Sequence, residues 1–313
     1  MLTYIVRRVL YIIPITLGVT LITFVLFNLV GGNPVLQKIG KHGSEQEIKI
    51  MEHELGLDLP KPEQYLFYLK QCLTLDFGRS WNTQQKITDM FMDGVGPSLS
   101  LAVPAFGTSV VLSILIAVLL MFFRNSIMDK IMVVTCLAGI SVSILVYTIS
   151  FQYVFSYQLG MFPISGYDAS WTGRWYYLLL PGFIWIITQL GTDVLLYRTV
   201  MLDEIFQDYV RTARAKGLAE KSVLLKHVLK NAMIPIITNV VLEVPFLYLG
   251  SLVLEAFFGI PGLGNMLAQA IFASDFPVIK AMTFFGTLLY IIFNLISDIM
   301  YAWADPRVKL GGA

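Results

Sequence analysis

A chain of 313 residues that is 56% hydrophobic and only 14% charged does not have the composition of a soluble protein and reads as a membrane protein. A formal net charge of +1 leaves no domain-wide basic surface to neutralise phosphates, which excludes a nucleic-acid binder. Cys72 and Cys136 are the only cysteines, so neither a disulfide framework nor a CxxC site is implied.

Arg7 and Arg8 precede an apolar run over 9–30 that is too long for the core of a secretory signal and has no small-residue cleavage site. It is expected to remain as a first membrane span. A crossing takes about 20 mostly apolar residues, and five more runs meet that measure, over 99–123, 131–157, 176–197, 232–254 and 281–303. Lysine and arginine in the short loops fall mostly on one side (Arg124, Lys130, Arg198, Arg211, Arg214), with Arg174 and Lys280 on the other, which places both termini in the cytoplasm. The expected organisation is an N-terminal segment and first helix over 1–30, a helical external loop domain over 31–98, and a five-helix core over 99–313 containing a cytoplasmic loop at 198–231. The fold class is all-α and polytopic, with six transmembrane helices.

Within the first external loop, EQEIKIMEHELG at 45–56 reads as a helix, Leu57-Asp58-Leu59-Pro60 breaks it, and 64–75 forms another. The loop at 159–175, rich in Gly, Pro, Ser, Trp and Tyr, fits a turn anchored by aromatics at the membrane interface. The loop at 257–277 pairs a glycine-rich turn with a short helix near 264–273.

The most polar internal stretch is 201–235. Leu202, Ile205, Phe206, Tyr209, Val210 and Ala213 recur at helical spacing, opposite Glu204, Gln207, Asp208, Arg211 and Arg214. This predicts one amphipathic helix over 203–216, capped by Asp203 and ended by Lys216 and Gly217. A second short helix is expected over 222–231, with Pro235 in the first turn of the fifth span and Pro245 kinking that span.

No HExxH, GxSxG or GxxxxGK[ST] occurs, so neither membrane-embedded hydrolysis nor direct ATP use is supported, and the chain is not expected to be an enzyme. Nothing points to a bound metal. His227, alone on a basic helix, reads as an interface or capping residue. Asp193, Glu243, Asn294 and Asp298 lie inside the spans, where polar groups are expensive. They form either a polar wall for a solute pathway or hydrogen bonds that fix helix packing.

The run Asp208-Tyr209-Val210-Arg211-Thr212-Ala213-Arg214-Ala215-Lys216-Gly217, followed by His227, Asn231-Ala232 and Pro235, closely resembles the coupling-loop motif of binding-protein-dependent ABC importer permeases, and within them the dipeptide and oligopeptide (OppB/DppB-type) branch. Collinear matches extend along the chain: Leu55-Gly56-Leu57-Asp58, Asp76-Phe77-Gly78-Arg79-Ser80, Phe162-Pro163-Ile164-Ser165-Gly166, Leu180-Pro181, Glu255 with Phe257, Pro261-Gly262-Leu263-Gly264, Asp275-Phe276-Pro277, and Asn294 to Asp298 ending at Asp305-Pro306-Arg307. Arg211-Thr212-Ala213 replaces the Glu-Ala-Ala of the wider motif, as is typical of the peptide branch. Ser141-Val142-Ser143-Ile144-Leu145 lacks the proline that usually accompanies a kink in the third span, and Glu243 has no family role to borrow.

The resemblance implies a type I permease fold in the bacterial inner membrane, paired with a second homologous permease subunit. It also implies two cytoplasmic ATPase subunits that hold the ATP and Mg, leaving no cofactor on this chain, and an extracytoplasmic substrate-binding protein. Asp203, Tyr209, Arg211, Thr212, Ala213, Arg214, Lys216 and Gly217 would couple to an ATPase, with the apolar face of the helix seating it. The same branch handles dipeptides, longer peptides, glutathione-like solutes and metal chelates. A channel or secondary transporter working alone is the contrasting reading, and a surface helix lying on lipid is the plain alternative for 203–216.

Overall fold

The computed structural model describes residues 2–27, 53, 58–247 and 252–304, with side chains described from residue 10 to residue 296 within those limits. Among the described residues the extended structure is a single bridge between Arg79 and Lys86, and every other regular element is helical. The expected helix at 45–56, the side chain of Asp298 and the motif at Asp305-Pro306-Arg307 lie outside the described residues.

α1 (Leu2–Val25) covers most of the first expected span, over 9–30. α2 (Lys61–Thr74) follows Pro60, carries Pro62 in its first turn, and stops at Leu75 in the left-handed conformation. α3 (Ile87–Phe122) begins well before position 99. Hydropathy alone misses its first turns because Asp89, Asp93 and two glycines dilute them, yet Ile87, Gly94 and Ser98 are buried there.

The run at 131–157 is not one straight span. α4 (Ile127–Ile140) and α5 (Ile144–Gln158) meet at 91°. No proline is needed for this bend. The Ser141 hydroxyl donates to the Leu137 carbonyl at 2.8 Å, closing α4, and Ser143 Oγ accepts from Leu145 N–H at 3.3 Å, starting α5.

α6 (Arg174–Ile205) is followed by α7 (Asp208–Ala215) and α8 (Glu220–Leu247). The expected separate helix at 222–231 is instead the opening of α8, which is π-helical over Val223–Val228. Pro235 therefore lies well inside a helix and not in a first turn. Pro245 lies in a 3₁₀ turn over Val244–Leu247, where the described part of α8 ends. α9 (Leu252–Phe258) and α10 (Leu263–Phe272) form a second bent pair, at 82°, so 252–254 belong to this hairpin and not to the fifth span. α11 (Phe276–Ala304) closes the described chain.

Among the described residues four helices are long and apolar enough to cross a membrane, and up to six crossings are reached if each bent pair counts as one; α1, whose apolar part runs over Leu10–Val25, is a shorter helix outside that number. Two cores hold opposite ends of the bundle. At the α10 end, Tyr68, Cys72, Phe77 and Ile87 pack on Leu263, Met282 and Phe285, with the Phe91 and Phe285 rings 4.3 Å apart. At the α7 end, Ala117 and Met121 of α3 pack with Met201 and Ile205 of α6, Val210 of α7 and Val223 of α8.

α4 is fixed to α6 by a bidentate pair, with Arg198 Nε donating to Asp129 Oδ1 at 2.7 Å and Nη2 to Oδ2 at 2.8 Å. Asp129 is buried and also accepts from Asn125 N–H at 3.0 Å. Removing one member strands the other in a poorly solvated place. Asp129→Ala is expected to destabilise the protein by on the order of 3 kcal/mol, read by thermal unfolding, and Asp129→Ala with Arg198→Met should recover much of the loss.

Candidate functional site

The segment from Met201 to Gly217 is not one helix. α6 runs through Asp203 to Ile205, and a new helix starts after Gln207, whose backbone is extended. Asp203 is therefore inside the last turn of α6 and caps nothing in α7. The break has a physical reason. A continuous helix would carry Ile205, Phe206, Tyr209, Val210 and Ala213 on one stripe, whereas the turn directs Ile205, Val210 and Ala213 into the core and leaves Phe206 66% exposed.

This corrects the expectation that the apolar face of the helix is free to seat a partner, because Val210 and Ala213 are already used within the chain. What α7 offers outward is Phe206, Tyr209, Arg211 and Thr212, all exposed. The Tyr209 hydroxyl donates to the Glu204 carboxylate, and burial together with that carboxylate pushes the phenol up to about 12. Arg211 meets Asp208 only at 3.4 Å and both stay exposed, whereas Arg214 is committed inward, donating to both oxygens of Glu220 at 3.0 and 2.7 Å. Lys216 caps the helix, and Gly217 turns the chain with φ at +74°. Nothing lies within 4 Å of where a Gly217 Cβ would stand, so glycine is needed there for its backbone and not for space.

Inside the bundle, Asp193 and Glu243 are brought together. Gln189 Nε2 donates to Asp193 Oδ1 at 3.3 Å and to Glu243 Oε2 at 3.4 Å, and Asn239 Nδ2 donates to Glu243 Oε1 at 2.8 Å. Asp193 has no exposed surface, while Glu243 is half-buried. Asn294, half-buried on α11, makes no hydrogen bond to either carboxylate among the described contacts. The supporting residues were readable from spacing. Gln189, Asp193 and Tyr197 are each four apart, as are Asn239 and Glu243, so each set lies on one helical face.

At the α10 end the collinear motifs prove to be halves of single contacts. Glu255, without exposed surface, accepts from Ser98 Oγ at 2.8 Å and from the N–H groups of Gly264 and Asn265 at 2.8 and 3.2 Å. Ser98 Oγ in turn accepts from Leu263 N–H at 2.8 Å. The start of α10 is thus capped by a carboxylate from α9 and a hydroxyl from α3. Asp275 likewise accepts from Ser80 Oγ at 2.5 Å and from the N–H groups of Trp81 and Asn82 at 3.1 and 3.2 Å, joining the 76–86 loop to the start of α11. The Gly166 N–H donates to the Phe258 carbonyl at 2.7 Å, which ties the 162–166 motif to α9.

No cluster of three or more histidine, cysteine or carboxylate side chains suited to a metal occurs among the described residues. Residues 109–310 match the family described as the inner membrane component of binding-protein-dependent transport systems, and residues 1–102 match the N-terminal region of such components. The chain belongs to this family.

As a transport permease it has relatives that it matches over nearly their whole length. A putative peptide transport system permease of Brucella abortus is 35% identical over 312 residues, covering 99% of both chains. The dipeptide transport permease DppB of Alkalihalophilus pseudofirmus is 30% identical, covering 99% of this chain and all of its own. The glutathione transport permease GsiC of Escherichia coli K12 is 31% identical over 309 residues, covering 99% of each. Membership places this permease in a system with a separate substrate-binding protein and ATPase partners.

The capped hairpin can be tested directly in the permease. A Cβ on Gly262 would collide with Glu255 Oε2 and Ser98 Oγ. Gly262→Ala is expected to cost about 1–3 kcal/mol through overpacking and to raise protease cleavage between α9 and α10.

Proposed function

We propose that the chain is one transmembrane subunit of an ATP-driven importer for peptides, including short peptide-like solutes such as glutathione, delivered by an extracytoplasmic binding protein. The peptide and glutathione names of its full-length relatives support this substrate class. The observation that carries the coupling half of the reading is α7. It is a short helix braced on its own chain through Val210 and Ala213, presenting Phe206, Tyr209 and Arg211 outward. The α7 end faces the cytoplasm, as the positive-inside pattern predicts, and both termini lie on that side.

Under this reading Phe206 and Tyr209 enter a groove of an ATPase subunit, and Arg211 sets the register. Arg214, Lys216 and Gly217 act one step back. The Arg214 and Glu220 pair holds α7 against α8, and Gly217 supplies the turn between them. Thr212 donates back to the Asp208 carbonyl at 2.9 Å within α7, while Asp203 belongs to the α6 end of the lever. ATP and Mg belong to the partner subunits, and a second, homologous permease subunit completes the pathway.

Glu243 is the carboxylate placed to meet a solute, because it is half-buried, whereas Asp193 is sealed behind it and acts through Gln189. Asn294, half-buried on α11, is assigned to the same pathway.

Phe206→Asp is expected to lower ATP-dependent uptake in reconstituted vesicles at least about tenfold while leaving membrane insertion intact; unchanged uptake would remove Phe206 from the docking surface. Gly217→Val should produce the same loss through a strained turn costing roughly 1–2 kcal/mol. For Glu243→Gln, import of peptides with free cationic groups should fall relative to neutral ones. Equal import of both would return Glu243 to packing. Mass spectrometry of ligand retained by the partner binding protein tests the substrate class.

A further inference from the structure

Across the middle of the bundle the chain carries two acids and no base. The stretches 94–123, 131–158, 175–197, 231–247 and 281–296, which form the membrane-depth parts of α3, α4 with α5, α6, α8 and α11, contain no lysine, arginine or histidine. Their acidic side chains are Asp193 and Glu243.

The fold brings these two acids together. Gln189 Nε2 donates to Asp193 Oδ1 at 3.3 Å and to Glu243 Oε2 at 3.4 Å, so both carboxyl groups lie within reach of one amide nitrogen and use both of its hydrogens. Asn239 Nδ2 adds a donor to Glu243 Oε1 at 2.8 Å. The Ser109 hydroxyl of α3 donates to Asp193, and Tyr197, one turn along α6, is turned to Asn239. These facing groups are amides, a hydroxyl and a phenol, all of them neutral at ordinary pH. The charged groups nearest along the chain are engaged elsewhere. Arg198, five residues along α6, donates to both oxygens of Asp129, and Glu255 is taken up by the start of α10.

Neutral donors can support one anion here, but two negative charges this close at membrane depth repel each other with no counter-charge between them. Loading a proton is the cheaper state. Asp193, without exposed surface, loses most solvation by ionising, whereas Glu243 is half-buried and is met by two amide donors.

We propose that Asp193 and Glu243 bind one proton between them at neutral pH, forming a proton-binding site that links α3, α6 and α8. The proton belongs to the coupled pair and rests mainly on Asp193, leaving the single negative charge on Glu243. The pathway wall then presents one negative charge and not two, a consequence that rests on the transport reading, whereas the proton itself does not.

The test is infrared spectroscopy of the full assembly in lipid vesicles, following the carbonyl stretch of protonated carboxyl groups while pH is varied. At neutral pH the wild type should show one such band that is missing from Asp193→Asn, and the difference between the two spectra removes every other acid in the assembly. Glu243→Gln takes away the neighbouring charge, so the Asp193 band should persist and its titration midpoint should fall by at least about one pH unit. A wild-type band that Asp193→Asn leaves unchanged would overturn the site, as would the lack of any band, which would mean that a positive charge from another subunit faces the pair. A midpoint unmoved by Glu243→Gln would overturn the sharing and leave Asp193 a singly buried acid. Should Asp193→Asn fail to assemble, the shift in Glu243→Gln decides alone.

Discussion

The Glu255 carboxylate is the contact on which one whole end of the bundle depends. It has no exposed surface, and it is met by the Ser98 hydroxyl and two backbone N–H groups at the start of α10. Those three donors come from two separate elements. The same carboxylate therefore positions α10, sets the sharp turn between α9 and α10, and ties the hairpin to α3. Gly262 and Gly264 follow from it, since a side chain at either would occupy the space of the carboxylate or of the α9 backbone. Asp275, just before α11, repeats the device for the 76–86 loop.

The opposite end is organised by charge pairs and a small apolar core. Asp129 and Arg198 hold α4 to α6, and Arg214 and Glu220 hold α7 to α8. Between these ends, among the described residues, lies a row of buried and half-buried polar groups that includes Ser109, Gln189, Asp193, Asn239 and Glu243. Polar groups inside membrane-crossing helices are costly, so such a row is where a function other than stability is to be sought.

Much of this was legible in the residues. Apolar runs located the spans, and i, i+4 spacing would have grouped Gln189, Asp193 and Tyr197 had it been applied to polar positions as well as apolar ones. The glycine after α7 and the short helix α10 stand where the pattern put them. Three features were not legible. The break at Phe206 and Gln207 keeps the same periodic stripe on both sides, so periodicity cannot reveal it. The bend between α4 and α5 uses serine hydroxyls in place of proline, a signal weak enough to pass for ordinary span sequence. The contacts of Glu255 with Ser98 and of Asp275 with Ser80 join residues more than 150 positions apart, and only folding brings them together.

Seen mechanically, α7 is a strut braced at both ends and along one side. Glu204 and Tyr209 lock it to the helix before, Arg214 and Glu220 to the helix after, and Val210 rests on the flank of α3 and α8. A strut fixed this way has little slack of its own, so a load applied to its exposed side is divided among three long helices at once and arrives at their far ends as displacement rather than as local bending.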